Sequence, residues 1–143
     1  MISDEKIEEM IETIGELMRR TTVKRPDSDS AFGEGAMMVI LYRKGSATAG
    51  ELSEFLRVGS GRIANLLKTS EKKGIIQREH CNDDKRKVIV TLTEKGRGLH
   101  EKRAGELKTE LRKNMSVLTE EEFELLLSIY KKILGARKDV QTI

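Results

Sequence analysis

Five polar residues, Ser60, Arg62, Asn65, Lys68 and Thr69, fall on one side of a helical pattern whose other side carries Ile63, Leu66 and Leu67. The outward row is rich in hydrogen-bond donors, the chemistry that phosphate oxygens and the edges of base pairs accept. Arg62 and Asn65 suit base reading, because a guanidinium pairs bidentately with guanine and a carboxamide with adenine. Ser60, Lys68 and Thr69 suit phosphates. A second polar group, Asp84-Lys85-Arg86, lies in a turn-prone stretch between two β-branched runs, the second of which opens with Lys87. Arg86 is placed there to reach a minor groove, where narrow A·T-rich DNA concentrates negative potential, with Lys85 and Lys87 as backbone contacts. A solvated surface charge is the competing reading for each of these residues.

The elements that must hold these groups can be read on either side of them. Thr48 and Glu51 have capping-box spacing, so a helix should begin there, with Leu52, Phe55 and Leu56 inward and Val58 following. Gly59-Ser60-Gly61 then interrupts the pattern and is expected to supply the sharp turn. The second helix runs from there to Gly74, a C-cap glycine preceded by Lys72 and Lys73, which suit the negative end of a helix dipole. Ile75 to His80 and Lys87 to Leu92 change to a two-residue period and read as a hairpin, with Val88, Val90 and Leu92 on its packed side.

These residues resemble those of the MarR-type winged helix-turn-helix transcriptional regulators. Leu52-Ser53-Glu54 with Leu56 and Val58 resembles the first motif helix, and Glu71-Lys72-Lys73-Gly74-Ile75-Ile76 with Arg78 resembles the passage from recognition helix to wing. Asp84-Lys85-Arg86, separated by five residues from Leu92-Thr93-Glu94-Lys95-Gly96, resembles the wing signature and is the most specific of the three. The sequence departs from the pattern at Gly59, where a capping Ser or Thr is common, and at Ser70, where Leu is usual. Arg62, Ala64 and Asn65 replace the commoner Thr, Thr and Arg, which bears on the DNA sequence read. The resemblance implies a minor-groove role for Arg86, with Asp84 holding it in place.

Towards the N-terminus, Ile7, Met10, Ile11, Ile14, Leu17 and Met18 form the stripe of an amphipathic helix over residues 4 to 20. Residues 21 to 30 contain the only proline and read as a linker. Ala31 to Lys44 forms the next helix, capped by Asp29 or Ser30 and ended by Gly45, with Phe32, Met37, Met38, Leu41 and Tyr42 on its apolar face. Gly33 and Gly35 mark either close approach of another backbone or a frayed start. Beyond the wing, Thr93 caps a long helix to about Val117, with Leu99, Arg103, Leu107, Leu111 and Met115 every fourth position. Thr119 and Glu122 form a second capping box, opening a last helix with Phe123, Leu126, Leu127, Tyr130, Ile133 and Leu134 inward and a further apolar face at Leu125 and Ile129.

The expected fold is therefore mainly α with a small β-hairpin wing: a winged helix-turn-helix lobe over 31–94 within a single MarR-like domain, 1–143. The terminal helices, 1–20 and 95–143, are expected to build a homodimer, as the resemblance also implies; an intramolecular bundle is the alternative. The resemblance further implies an effector pocket between the lobe and these helices, lined by Met18, Phe32, Met37, Met38 and Tyr42 and taking a small apolar or aromatic effector. Ordinary core packing accounts for the same residues. An effector acts only by binding the DNA-incompetent spacing of the two reading helices more tightly than the competent one.

Formal net charge is +3, yet residues 57 to 103 hold thirteen Lys or Arg against six Asp or Glu, which leaves the remainder net acidic. Positive charge concentrated on the motif is the footprint of a nucleic-acid binder. Aromatic residues make up only 3% of the chain, too few for the stacking platforms of a single-strand or RNA binder. There is no Walker loop, G-x-S-x-G, HExxH or dinucleotide glycine pattern, and no paired nucleophile and base, so neither an enzyme nor a cofactor is expected. Cys81, His80 and His100 lack metal-ligand spacing. Cys81, near Arg78, His80 and Lys85, is either a redox-sensitive thiol or an incidental hairpin residue. No apolar run approaches a membrane span, and a cytoplasmic protein is expected. The reading favoured is a double-stranded DNA-binding regulator of a pseudo-palindromic operator, a repressor relieved by an effector; the alternative is a winged-helix module that binds protein.

Overall fold

Both capping boxes form as their spacing predicts. Glu51 N–H donates to Thr48 Oγ1 at 3.1 Å while Thr48 N–H donates to the Glu51 carboxylate at 3.3 Å. Thr119 and Glu122 repeat the exchange, Glu122 N–H on Thr119 Oγ1 at 3.1 Å and Thr119 N–H on the Glu122 carboxylate at 2.9 Å. In both, the backbone N–H given to the carboxylate is the main cause that holds it below the usual carboxylate range.

The computed structural model describes residues 1–21, 30–81, 83 and 87–141. Its elements are α1 (Asp4–Thr21), α2 (Ser30–Lys44), β1 (Ser46–Thr48), α3 (Ala49–Leu56), α4 (Ser60–Lys72), β2 (Ile76–His80), β3 (Val88–Leu92), α5 (Glu94–Met115) and α6 (Glu120–Gln141). The expected linker lies, but for its end residues, outside the described residues, as do Asp84, Lys85, Arg86 and the side chain of Phe32. No described helix is long and apolar enough to cross a membrane.

The chain falls into two compact units, Met1–Lys24 with Ala104–Ile143, and Arg25–Arg103. In the second, Met37, Met38 and Leu41 of α2, Leu52 of α3, Ile63, Leu66 and Leu67 of α4, and Ile76, Val90 and Leu92 of the sheet form one core, with Leu99 packed against it. The expected hairpin is present, with Ile76 opposite Leu92 and His80 opposite Val88. A third strand joins it: β1 pairs antiparallel with β3, Ser46 opposite Thr91, so β3 is central in the order β1-β3-β2. Gly45, at φ +86, ends α2 and turns the chain into β1.

Phe55 is a correction. Its place in the α3 pattern put it inward, but it is 36% exposed, with the Lys44 ammonium 4.6 Å from its ring centroid. Gly33 approaches a side chain, not a backbone: a Cβ there would lie 3.4 Å from Leu66 Cδ2, and at Gly35 it would meet nothing within 4 Å.

In the other unit α1 finds its distant partner in α6. Ile7 and Met10 pack with Phe123 and Leu127 in a fully buried core, flanked by Leu111, Met115, Leu126 and Tyr130. Lys108 pairs with Glu8 at 2.7 Å, and Arg112 donates to the Ile2 carbonyl at 2.6 Å. Ile133 of α6, expected inward, is exposed, as are Met18 of the α1 stripe and Leu107 of the α5 repeat. Ile133 continues a row with Leu125 and Ile129, also exposed, along the face of α6 turned away from α1.

Candidate nucleic-acid interface

The turn between α3 and α4 is built from backbone. Arg57 N–H donates to the Glu54 carbonyl at 3.3 Å and Val58 N–H to the Ser53 carbonyl at 3.2 Å, the paired bonds of a Schellman motif. Ser53 Oγ donates to the Val58 carbonyl at 2.6 Å. The left-handed residue that this motif requires is Arg57, at φ 55 and ψ 43. The expectation that Gly59-Ser60-Gly61 makes the bend is thus corrected: Gly59 is extended, at φ −72 and ψ 164, and Ser60 and Gly61 already belong to α4. Gly59 is the N-cap but offers no side-chain hydrogen bond.

On α4 the two expected faces separate. Ile63, Leu66, Leu67 and Ser70 are buried, while Ser60, Asn65, Lys68 and Thr69 are exposed and Arg62 is half-buried at the border. The structure therefore brings all five predicted contact residues of α4 to its unburied side. Thr69 differs from the others, because its hydroxyl donates to the Asn65 carbonyl at 2.9 Å and its proton is already committed. Ser70, where the family resemblance leads one to expect Leu, is fully buried, and its Oγ has no hydrogen-bond partner among the described residues.

The C-terminal end of α4 is fastened from four sides. Gly74 takes φ +76 and completes a second Schellman motif, with Gly74 N–H on the Glu71 carbonyl at 2.9 Å and Ile75 N–H on the Ser70 carbonyl at 3.0 Å. Arg78 of β2 forks onto the Glu71 carboxylate at 2.9 and 3.1 Å. That hydrogen-bonded pair pushes the Glu71 carboxyl down and the guanidinium up. Lys95 Nζ donates to the Lys73 carbonyl at 2.9 Å, and Thr93 Oγ1 lies 2.6 Å from the Gly74 carbonyl while accepting from Gly96 N–H at 3.0 Å. Lys73 Nζ, finally, donates to Glu34 of α2 at 3.0 Å.

Glu34 was missed in the sequence. Its side chain is nearly as inaccessible as the core, and Arg103 Nη1 of α5 stands 3.6 Å from its second oxygen. The signal was present: Glu34 is the only acidic residue in α2, a helix otherwise apolar at its centre. A buried carboxylate requires paired charges, and Lys73 and Arg103 supply them.

In the wing, Cys81 N–H donates to the Lys87 carbonyl at 2.9 Å, one step beyond the His80–Val88 pair at the loop end of the hairpin; Lys87 is exposed. Of the residues expected to line an effector pocket, Met37, Met38 and Tyr42 belong to the unit that carries the helix-turn-helix and Met18 to the other. Met37 and Met38 are fully buried in the lobe's core, and Tyr42 is on the surface, donating to Glu101 at 3.0 Å with its ring 4.4 Å from His100. Met18 is half-exposed in the other unit. No group of three or more His, Cys, Asp or Glu suited to a metal ion occurs among the described residues.

A helix-turn-helix whose second helix is buried on one side and donor-rich on the other, followed by a small antiparallel sheet, defines a winged helix-turn-helix protein. Residues 33–88 match the MarR family. An uncharacterised HTH-type transcriptional regulator of Bacillus subtilis (strain 168), YfiV, is 30% identical over 119 residues, which cover 78% of this chain and 72% of that protein. The chain belongs to the MarR family of transcriptional regulators. Among solved structures, the reduced form of MarR from E. coli is 30% identical with a TM-score of 0.60, covering 71% of this chain and 75% of that one. The YusO protein from Bacillus subtilis is 25% identical with a TM-score of 0.65, covering 92% and 86%.

Proposed function

We propose that the protein is a homodimeric regulator that binds a pseudo-palindromic site in double-stranded DNA. The observation that carries this is the exposed row of Ser60, Asn65, Lys68 and Thr69, with Arg62 at its edge, on the second helix of the motif. In this reading α4 enters a major groove, Arg62 and Asn65 meet base edges, and Ser60 and Lys68 meet phosphates. Thr69 accepts, or donates only by leaving the Asn65 carbonyl. Arg86, oriented by Asp84, reaches the adjacent minor groove, with Lys85 and Lys87 on the backbone. The apolar row of α6 supplies the dimer contact. Repression, and its relief by a small apolar or aromatic effector, rest on family membership alone.

Selection of duplexes from a random pool by the purified protein, followed by footprinting, tests the proposal. Two half-sites about one helical turn apart, roughly 10 base pairs, are expected. Affinity should fall steeply with salt as counterions are released. Arg62→Ala and Asn65→Ala should relax sequence preference at single positions, and Arg86→Ala should weaken binding about tenfold or more, roughly 1.4 kcal/mol. A protein that binds no duplex tightly at any salt concentration would instead be a protein-binding module.

A further inference from the structure

We infer that Arg57 is a further DNA-contacting residue, whose guanidinium holds a backbone phosphate beside the start of α4. The inference rests on the DNA-binding reading above. Arg57 is the only non-glycine residue with positive φ among those described. The motif that puts it there uses only its backbone N–H, so a glycine would serve the turn without the crowding a Cβ suffers in left-handed backbone. The side chain does not compensate within the protein: it is exposed and forms no hydrogen bond or ion pair with the described residues.

Two positions further on the pattern is inverted. Gly59 has an extended backbone that any residue adopts, Gly61 is helical, and a Cβ at either would meet nothing within 4 Å. Here a side chain would fit and glycine stands instead. The short segment leading into the proposed reading helix thus carries a strained arginine followed, two and four positions on, by glycines, an arrangement the fold itself does not ask for. Local choices that work against the fold mark functional demands. A long cation near two exposed positions that present no side chain, Gly59 and Gly61, and next to a helix presenting Ser60, Asn65 and Lys68, matches a phosphate drawn close to the chain.

The test compares Arg57→Gly, Arg57→Gln and Arg57→Lys with the wild-type protein, reading thermal unfolding and affinity for a selected duplex across a salt series. Arg57→Gly should raise Tm by about 2–4 °C yet weaken binding about three- to tenfold, equally for selected and unrelated duplexes, and lower the salt slope by about one. Arg57→Gln, which keeps the backbone cost and loses the charge, should weaken binding as much without the rise in Tm. Arg57→Lys should retain most of the affinity. If the Gly and Gln variants bind as tightly as wild type, with the same salt slope, Arg57 is not a contact and the inference falls alone. If wild type itself binds no duplex at low salt, the DNA-binding reading falls and takes this inference with it.

Discussion

Lys73, the residue that closes α4, donates to Glu34 of α2 across 3.0 Å, and the two ends of this bond differ sharply: the carboxylate side chain is 6% exposed and the lysine 55%. Arg103, at 3.6 Å from the other oxygen, is also half-exposed. The proposed reading helix is therefore tied to α2 and to the first half of α5 through one buried anion whose cations remain in water. Such a tie fixes where α4 ends without relying on the residues that would face DNA.

The asymmetry makes the order of mutational damage predictable. Lys73→Ala strands a desolvated carboxylate with only the longer Arg103 contact and should cost about 1–3 kcal/mol. Glu34→Met removes the buried charge and leaves two cations that can hydrate, so it should cost less, under about 1 kcal/mol. Urea unfolding of both variants checks this, and a Glu34→Met loss larger than that of Lys73→Ala would show the carboxylate to be held mainly by something else.

Gly96 should be intolerant for a purely steric reason. A Cβ at this position would lie 2.1 Å from the Ile75 carbonyl oxygen and 3.0 Å from its carbon, because the first turn of α5 packs backbone against backbone on the segment that leaves α4. Gly96→Ala should destabilise by roughly 3 kcal/mol. Gly98, two residues along the same helix, has nothing within 4 Å, so Gly98→Ala should stabilise by about 0.5–1 kcal/mol. Thermal denaturation of the pair gives opposite signs if the geometry is right.

Ile129 lies at the centre of the exposed row formed with Leu125 and Ile133. Ile129→Glu should turn the dimer proposed above into a monomer at micromolar concentration, measured by sedimentation, with the helical content of the chain preserved because Phe123 and Leu127 stay buried on α1. A variant that sediments like wild type would move the subunit contact elsewhere.

His100 should impose a mild pH dependence on stability. Burial is the main cause that lowers its pKa, Arg43 lowers it further and Glu101 opposes both. Because the folded value lies below an unfolded value near 6.5, the unfolded chain binds the proton first. Stability should thus be complete above about pH 7.5, decline as pH falls through the unfolded value, and level off below the folded one. His100→Gln should flatten a plot of Tm against pH between about 5 and 8; an unchanged slope would assign the dependence to other groups.

Much of the local architecture was legible because its causes lie within one helical turn. The Thr48–Glu51 and Thr119–Glu122 boxes, the burial of Ile63, Leu66 and Leu67 opposite Asn65 and Lys68, and the stop at Gly74 all depend on neighbours three or four residues away. β1 was not legible, since Ser46–Thr48 is too short to show alternation and is a strand only because β3 supplies its hydrogen bonds. Phe55 matched the apolar period of α3 but sits at the margin of the face that α2 and α4 cover, and a period cannot tell the width of a buried stripe.

The sequence by itself determined where helices start and stop and which face of α4 is polar, because capping and amphipathic spacing are short-range and each residue carries them in its own side chain. Only the tertiary structure decided that Glu34 is the buried anchor of that helix, since its main partner is 39 residues away. It decided likewise that Arg57, and not a glycine, bears the left-handed turn. Both depend on how α2, α3 and α4 settle against a shared core, where packing of distant side chains outweighs the preference of any one residue for its backbone angle.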